Sequence, residues 1–443
     1  MPVAPSRARM ILVLGALVAL GPLTIDMYLP ALPRIADELS VSSSVAQLTL
    51  TGTLAGLALG QLLVGPLSDS LGRRRPLMAG IVLHMLASML CMLAPDITAL
   101  GVARGLQGMG AAAATVVAIA VVGDLFSGTA AATVMSRLML VLGIAPVLAP
   151  SLGAVVLAHA SWQWVFAALV VLAGGLLLVA ALVLPETLPV AHRRPLEVRG
   201  IAGTYASLLR DPRFVALVLV AALGMSGLFA YIAGAAFVLQ GHYGLDQQVF
   251  ALVFGAGAVA LIGTTQFNVV LLRRFAPQQI MVWALAVASL AGVVFLGLTV
   301  AHVGGLTGFL VSVWTILAAM GLVLPNAPAV ALSRHNEAAG TAAALLGAGQ
   351  FGLGAAVAPL VGVLGNNEFA LALVMTVGTV VALVALMAVG LRGNREDPDD
   401  PEDSAEATDG SWRPSPNPPE SSAACGLVSS GTGYVASAGW ILR

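Results

Sequence analysis

The chain has 443 residues, 59% hydrophobic and only 9% charged, with a formal net charge of -1. A soluble domain carries about 25% charged residues, so this composition excludes an ordinary soluble enzyme and predicts a polytopic, all-α membrane protein. The near-zero net charge excludes a general basic footprint for nucleic acid. The two cysteines, Cys91 in an apolar run and Cys425 in a polar stretch, point to neither a disulfide nor a thiolate metal site.

Residues 1–9 carry Arg7 and Arg9 ahead of an apolar run. That run has no small-residue cleavage site and continues into Asp26 and two prolines, so it reads as an uncleaved first span. A spanning helix needs about 20 apolar residues. Segments that qualify fall at roughly 10–32, 45–67, 76–95, 98–122, 134–158 and 163–184. A polar connection, 185–213, separates them from six more, at roughly 214–240, 247–271, 278–301, 304–328, 338–363 and 368–391. The pattern predicts twelve helices in two halves, 10–184 and 214–391.

All 20 basic residues are arginine, and sixteen of them fall on the side of the N-terminus against Arg34 alone on the opposite side. The positive-inside rule therefore predicts that both termini are cytoplasmic, which requires an even number of spans. APSLG at 149–153 in the fifth span is echoed by APLVG at 358–362 in the eleventh. The LGRRR loop after the second span is likewise echoed by an RRF loop after the eighth. Such echoes predict a parallel repeat with the working site between the halves. The tail, 392–443, holds nine of the 21 acidic residues and too little apolar content to bury a core, so disorder is expected there.

Two charges interrupt the apolar runs. Asp26 lies eight residues before Arg34, and Arg104 lies eight residues after Asp96. At a rise of about 1.5 Å per residue, both sit roughly 12 Å below the same membrane boundary. An intramembrane charge is costly unless it meets a partner or water, and these two have opposite sign and matching depth. The functional reading is proton coupling, because the proton affinity of Asp26 would depend on how close Arg104 and any ligand stand. The alternative is a permanent buried pair that only fixes helix packing. His84 and His159 are lesser candidates for the titratable group and read first as a packed polar residue and an interfacial one.

GQLLVGPLSDSLGRRRPL, 60–77, resembles the loop signature of the major facilitator superfamily, with Gly65, Asp69, Gly72, Arg73 and Arg74 in place. The resemblance implies that this loop latches the two halves together on the cytoplasmic side. Gly65 would permit close helix approach, and Asp69 would cap a helix or attract an arginine. RGLQGMGAAAA resembles the superfamily's fourth-helix motif through Arg104, Gln107 and Gly108. GIAPVLAPSLG is similar to the fifth-helix motif of its drug:proton antiporters through Gly143, Pro146, Pro150 and Gly153. IDMYLPALP, APVLAP, SWQWVF and AGTAAALLGAGQF resemble the Bcr/CflA-type drug-resistance transporters, and the likeness covers roughly 10–391. Two departures stand out. Ser70 occupies a commonly basic position, and Gly123-Asp124 replaces an Arg-Asp pair, which argues against a cytoplasmic salt bridge there.

The resemblance implies the superfamily fold of two pseudo-symmetric six-helix halves, in the inner membrane, with helices one and four lining a central cavity. It implies a proton-driven efflux antiporter for small hydrophobic or amphipathic drugs, chloramphenicol-like or bicyclomycin-like, working by alternating access as a monomer. Cavity candidates are Tyr28, Gln47 and Gln107 in the first half and Phe229, Tyr231 and Gln266 in the second. No cofactor is expected, the proton gradient being the energy source, and no GxxxxGK[ST] phosphate loop occurs. Competing readings are a proton-coupled transporter of a natural metabolite on the same fold and a non-transporting membrane sensor. A hydrolase built on Ser161 and His159 would lack an acid beside them.

Overall fold

The structure, a computed structural model, describes residues 7–193, 197–333 and 339–393. Hydrocarbon offers a backbone no water to bond, so apolar chain must satisfy its own amides in helices. Accordingly the first half comprises α1 (Arg7–Asp26), α2 (Leu32–Glu38), α3 (Ser43–Leu71), α4 (Arg74–Met92), α5 (Ile97–Leu125), α6 (Gly128–His159) and α7 (Gln163–Val183). A connecting helix, α8 (Val198–Arg210), follows. The second half comprises α9 (Pro212–Ala236), α10 (Gln247–Leu271), α11 (Pro277–Val300), α12 (Gly305–Ser333), α13 (Ala339–Val363) and α14 (Glu368–Gly393). Among the described residues, 12 helical stretches are long and apolar enough to cross a membrane. Large apolar side chains such as Leu12, Val171, Leu182 and Leu252 remain exposed, as a lipid-facing shell requires. The acidic tail lies outside the described residues from residue 394 onward.

We call the end at which α1 begins the near end, and the opposite end the far end. Helix starts are capped by short polar side chains: Ser42 accepts from Val45 N–H before α3, and Asp96 and Asp246 each accept two backbone N–H groups before α5 and α10. Each cap relieves donors that a first helical turn leaves unbonded.

The two halves repeat. In the first, α1 packs on α5, α6 and α7, α3 on α5, and α4 on α5 and α7. In the second, α9 packs on α12, α13 and α14, α10 on α12, and α11 on α12 and α14. The halves meet through α3 with α13 and α6 with α10, again a symmetric pair. The tightest intra-half seam joins α3 to α5. Gly52, Gly56 and Gly60 recur every fourth residue along α3, and a Cβ at Gly52 would stand 2.5 Å from the Gly101 carbonyl oxygen. Small residues at this spacing let two spanning helices approach backbone to backbone.

Two features differ from the sequence reading. The first span is not one helix over 10–32, because it breaks after Asp26, runs through a 3-10 turn at Leu29–Ala31 and restarts as α2. Pro30 and Pro33 explain the break: neither has an N–H to donate to the carbonyls of Asp26 and Leu29 four residues earlier. The first helix of the second half is irregular at the matching place, ending in a π-helical turn at Phe237–His242. The central connection is also more than a polar link, since it holds α8, whose Leu208 packs with Phe214 and Ala342.

Candidate functional site

Asp26 is the last residue of α1 before its break, and 2% of it is exposed. Arg104, two turns into α5, is fully buried. α1 and α5 pack together, so the matched depths read from the sequence do bring the two residues to one region. They are not an ion pair, however. Arg104 Nη1 donates to the Thr24 carbonyl (2.9 Å) and to Gln107 Oε1 (2.5 Å), while its carbon lies 3.9 Å from the centre of the Tyr28 ring. Asp26 Oδ1, Arg104 Nε and Arg104 Nη2 are left buried without hydrogen-bond partners. The expected mutual offset of charges is thus replaced here by a guanidinium held by neutral groups next to an unpaired carboxylic group. A guanidinium stacked on an aromatic face away from water gains about 2 kcal/mol.

Arg104 belongs to a closed polar circuit through α1, α4 and α5. Gln107 Nε2 donates to Ser88 Oγ (2.7 Å), and Ser88 Oγ donates to the His84 carbonyl (2.7 Å). His84 Nε2 meets Thr24 Oγ1 at 2.8 Å, and the Thr24 carbonyl returns the circuit to Arg104. Gln107 is therefore a structural member of this circuit. Thr24 and Ser88 are functional candidates that sequence reasoning passed over, and His84, read there as a lesser candidate for the titratable group, joins them in the circuit. The available signal was spacing: Thr24 is two residues before Asp26, and Ser88 is one turn after His84.

The other cavity candidates are distributed. Tyr28 is buried inside the first half, its hydroxyl 3.2 Å from Thr49 Oγ1. Phe229 packs on Phe351 (centroids 5.7 Å apart), and Tyr231 stacks on Phe254 (5.2 Å) with its hydroxyl unpartnered. Gln266 is exposed and lies one turn beyond Ile262, on the α10 face that meets Gly143 of α6. Gln47 requires correction. It does not line an open cavity, because its Nε2 donates across the halves to the Ala233 carbonyl (2.9 Å) and to Asn366 Oδ1 (2.5 Å). Ser44 Oγ donates to the Gly362 carbonyl (2.7 Å) alongside it, so these residues close the far end.

Replacing Gln47 by Ala removes two such bonds, each worth about 1 kcal/mol. The far-end-open population should rise by about 5–30-fold. Paired spin labels on the far-end turns before α3 and after α13 would read it. A distance distribution equal to that of wild type would mean that these bonds do not hold the closure.

At the near end, Arg73 joins the signature loop to its neighbours. It pairs with Asp69 (2.5 Å) and Asp124 (2.9 Å), and donates to Ser68 Oγ. Burial works against its charge, but the bonds and charges of Asp124 and Asp69 outweigh that and hold the guanidinium above its ordinary range. Glu186 accepts the backbone N–H groups of Arg73 and Arg74, and Arg74 Nη2 donates to the Ala181 carbonyl. The Gly123-Asp124 departure therefore does not remove the salt bridge: Asp124 receives Arg73 instead of a neighbouring arginine. Two glycine readings also change or sharpen. A Cβ at Gly65 would meet nothing within 4 Å, so close helix approach is not its work in this conformation. Gly72 has φ +88°, and a Cβ there would meet the Glu186 carboxylate at 2.5 Å. These partners all lie in the first half and the central connection, so the loop does not clasp the second half through them.

The fifth-span motif lies against the break. α6 carries Pro146 and Pro150 inside it, and a Cβ at Gly153 would overlap the Met27 carbonyl oxygen, one residue past Asp26. A Cβ at Gly143 would meet only the flexible Ile262 side chain, at 3.3 Å. Gly153→Ala should therefore cost about 1–3 kcal/mol by overpacking against rigid backbone, whereas Gly143→Ala should be nearly neutral. Thermal unfolding of both variants in detergent checks this, and equal melting temperatures would remove Gly153 from the support of the break.

The chain matches the Major Facilitator Superfamily family model over residues 14–359. It is 38% identical over 382 residues to the uncharacterized MFS-type transporter YdgK of Bacillus subtilis, covering 85% of this chain and 94% of that one. It is 32% identical to a bicyclomycin resistance protein homolog of Haemophilus influenzae, covering 83% and 92%. It is 31% identical to a chloramphenicol resistance protein of Pseudomonas aeruginosa, covering 77% and 80%. A crystal structure of a D-xylose-proton symporter superposes with a TM-score of 0.65 at 16% identity, covering 85% of this chain and 96% of the other, which establishes likeness of fold alone.

Proposed function

The chain belongs to the major facilitator superfamily and is a multi-pass membrane transporter rather than an enzyme, and from that premise we propose that it is a proton-driven efflux antiporter for small amphipathic drugs. The observation that carries the reading is the Asp26 carboxyl, buried without a partner for Oδ1 at a helix break, beside a guanidinium with two unpaired nitrogens. A discontinuous helix places ionisable and backbone groups where an ion can bind near the membrane midplane. Its proton and a ligand can then compete for one constellation. The Bcr/CflA-like wording of the sequence and the names of its drug-resistance relatives support an antibiotic-like substrate, bicyclomycin-like or chloramphenicol-like.

In this reading the near end is cytoplasmic, in the inner membrane, and the Gln47 and Ser44 bonds close the outer end. Asp26 then awaits exchange from the cytoplasmic side. The Asp69–Arg73–Asp124 cluster is the half of the latch that docks on the other half when the cytoplasmic end closes. No cofactor takes part, and a single chain suffices.

The test has two arms. A drug-susceptibility panel in a host stripped of its own pumps identifies the substrate class. Inverted vesicles then report direction: drug accumulation with proton release supports antiport, and drug movement in the same direction as protons would mean a proton-coupled importer of a metabolite.

A further inference from the structure

His84 has no assigned task in the exchange just described, yet it is fully buried and its ring touches the turn that carries Asp26. Its protonation pattern follows from counting hydrogens. A threonine hydroxyl has one hydrogen to give, and Thr24 gives it to the Leu20 carbonyl at 2.6 Å. The 2.8 Å contact must then run from His84 Nε2–H to Thr24 Oγ1. A neutral imidazole in that tautomer keeps a bare lone pair on Nδ1, which is buried and unpartnered. Thr24 is consequently gripped twice, by His84 through its hydroxyl and by Arg104 through its carbonyl. The grip is rigid on the α4 side, where Gly110 of α5 would place a Cβ 2.6 Å from the His84 backbone nitrogen.

We infer that His84 is a positioning residue for the coupling site, a neutral donor that fixes the Thr24 turn and thereby sets how far the Asp26 carboxyl stands from the Arg104 guanidinium. The inference rests on the antiport reading. Only Ile25 separates Thr24 from Asp26, and the break after Asp26 leaves the carboxyl no helix beyond it to hold it in place. Its position is therefore inherited from the turn before. Arg104 of α5 is the charge that acts on both His84 and Asp26. Tyr28 of α1 and Cys91 of α4 are the other titratable groups it reaches. Loss of the His84 bond would let the turn shift and change the proton affinity of Asp26, while leaving the carboxyl itself intact.

The full chain in proteoliposomes gives the test, by infrared titration of the Asp26 carboxyl band, assigned by its absence in Asp26→Asn. His84→Ala and Thr24→Val should each move the titration midpoint by about one pH unit, a tenfold change in proton affinity. The amide nitrogen of glutamine stands where Nε2 stands, so His84→Gln should return the midpoint to within about threefold of the wild-type affinity, that is, about half a unit. The double variant should shift no further than either single one, since both break one bond. If His84→Ala fails to fold, the isosteric Thr24→Val against Thr24→Ser decides the same question. A midpoint unmoved in Thr24→Val, or His84→Gln behaving as His84→Ala, overturns this inference alone. An Asp26 band that does not titrate even in wild type overturns the antiport reading, and this inference with it.

Discussion

Asp26→Asn is expected to abolish drug-driven proton release while the protein remains folded and inserted. The amide keeps the shape of the carboxyl and removes its titration, so a bound drug has no proton to displace. The structural cost should be small. Asp26 Oδ1 makes no hydrogen bond that would be lost, and the Arg104 bonds go to Thr24 and Gln107. An amide at this position is neutral, which lowers the burial penalty. Drug should therefore still bind and exchange down its own gradient, but accumulation against a gradient should fall to the uncoupled background. The measurement is drug efflux with simultaneous proton release in reconstituted vesicles, with expression and melting temperature as controls. Full, proton-coupled efflux by Asp26→Asn at wild-type levels would sink the coupling role.

Arg104→Ala should do the opposite: it should damage structure and function together. The substitution strands the Thr24 carbonyl and Gln107 Oε1, removes the partner of the Tyr28 ring and opens a void in the middle of the first half. Leaving a buried acceptor unsatisfied costs about 1–3 kcal/mol, and two are stranded here. Arg104→Lys keeps the charge but loses the planar face that lies over the Tyr28 ring, so it should recover part of the stability and little of the normal pH dependence of drug binding. The checks are thermal melting and the pH profile of drug binding. A profile in Arg104→Lys that superposes on wild type would show that Arg104 acts only as a point charge; one in Arg104→Ala that does so would show no coupling to Asp26 at all.

These two residues were visible in the sequence for one physical reason. A charge inside an apolar run stands out against its surroundings whatever its partner is, because the membrane makes it costly. The same one-dimensional logic gave the twelve spans and the two halves, since each helix must satisfy its own backbone in lipid. The α8 helix carries Val198, Ile201, Tyr205 and Leu208 at helical spacing, a short apolar signal inside a connection whose polar character dominates.

What the sequence determined, then, was everything that follows from one segment meeting lipid: span number, the repeat, and the intramembrane Asp26 and Arg104. What only the tertiary structure decided was every partnership between segments. Gln47 read as a cavity residue and is a far-end clasp, because its partners Ala233 and Asn366 lie 186 and 319 residues away. Asp124 and Glu186 became the partners of the signature loop in the same way. Thr24, His84 and Ser88 are uncharged or weakly polar, and such residues are common in spans. A span that is apolar all round shows no amphipathic contrast to tell which face looks inward. Which of them share a circuit with Arg104 depends on the rotation of α1, α4 and α5 about their own axes, and that rotation is set by glycine contacts between helices rather than by any pattern within one.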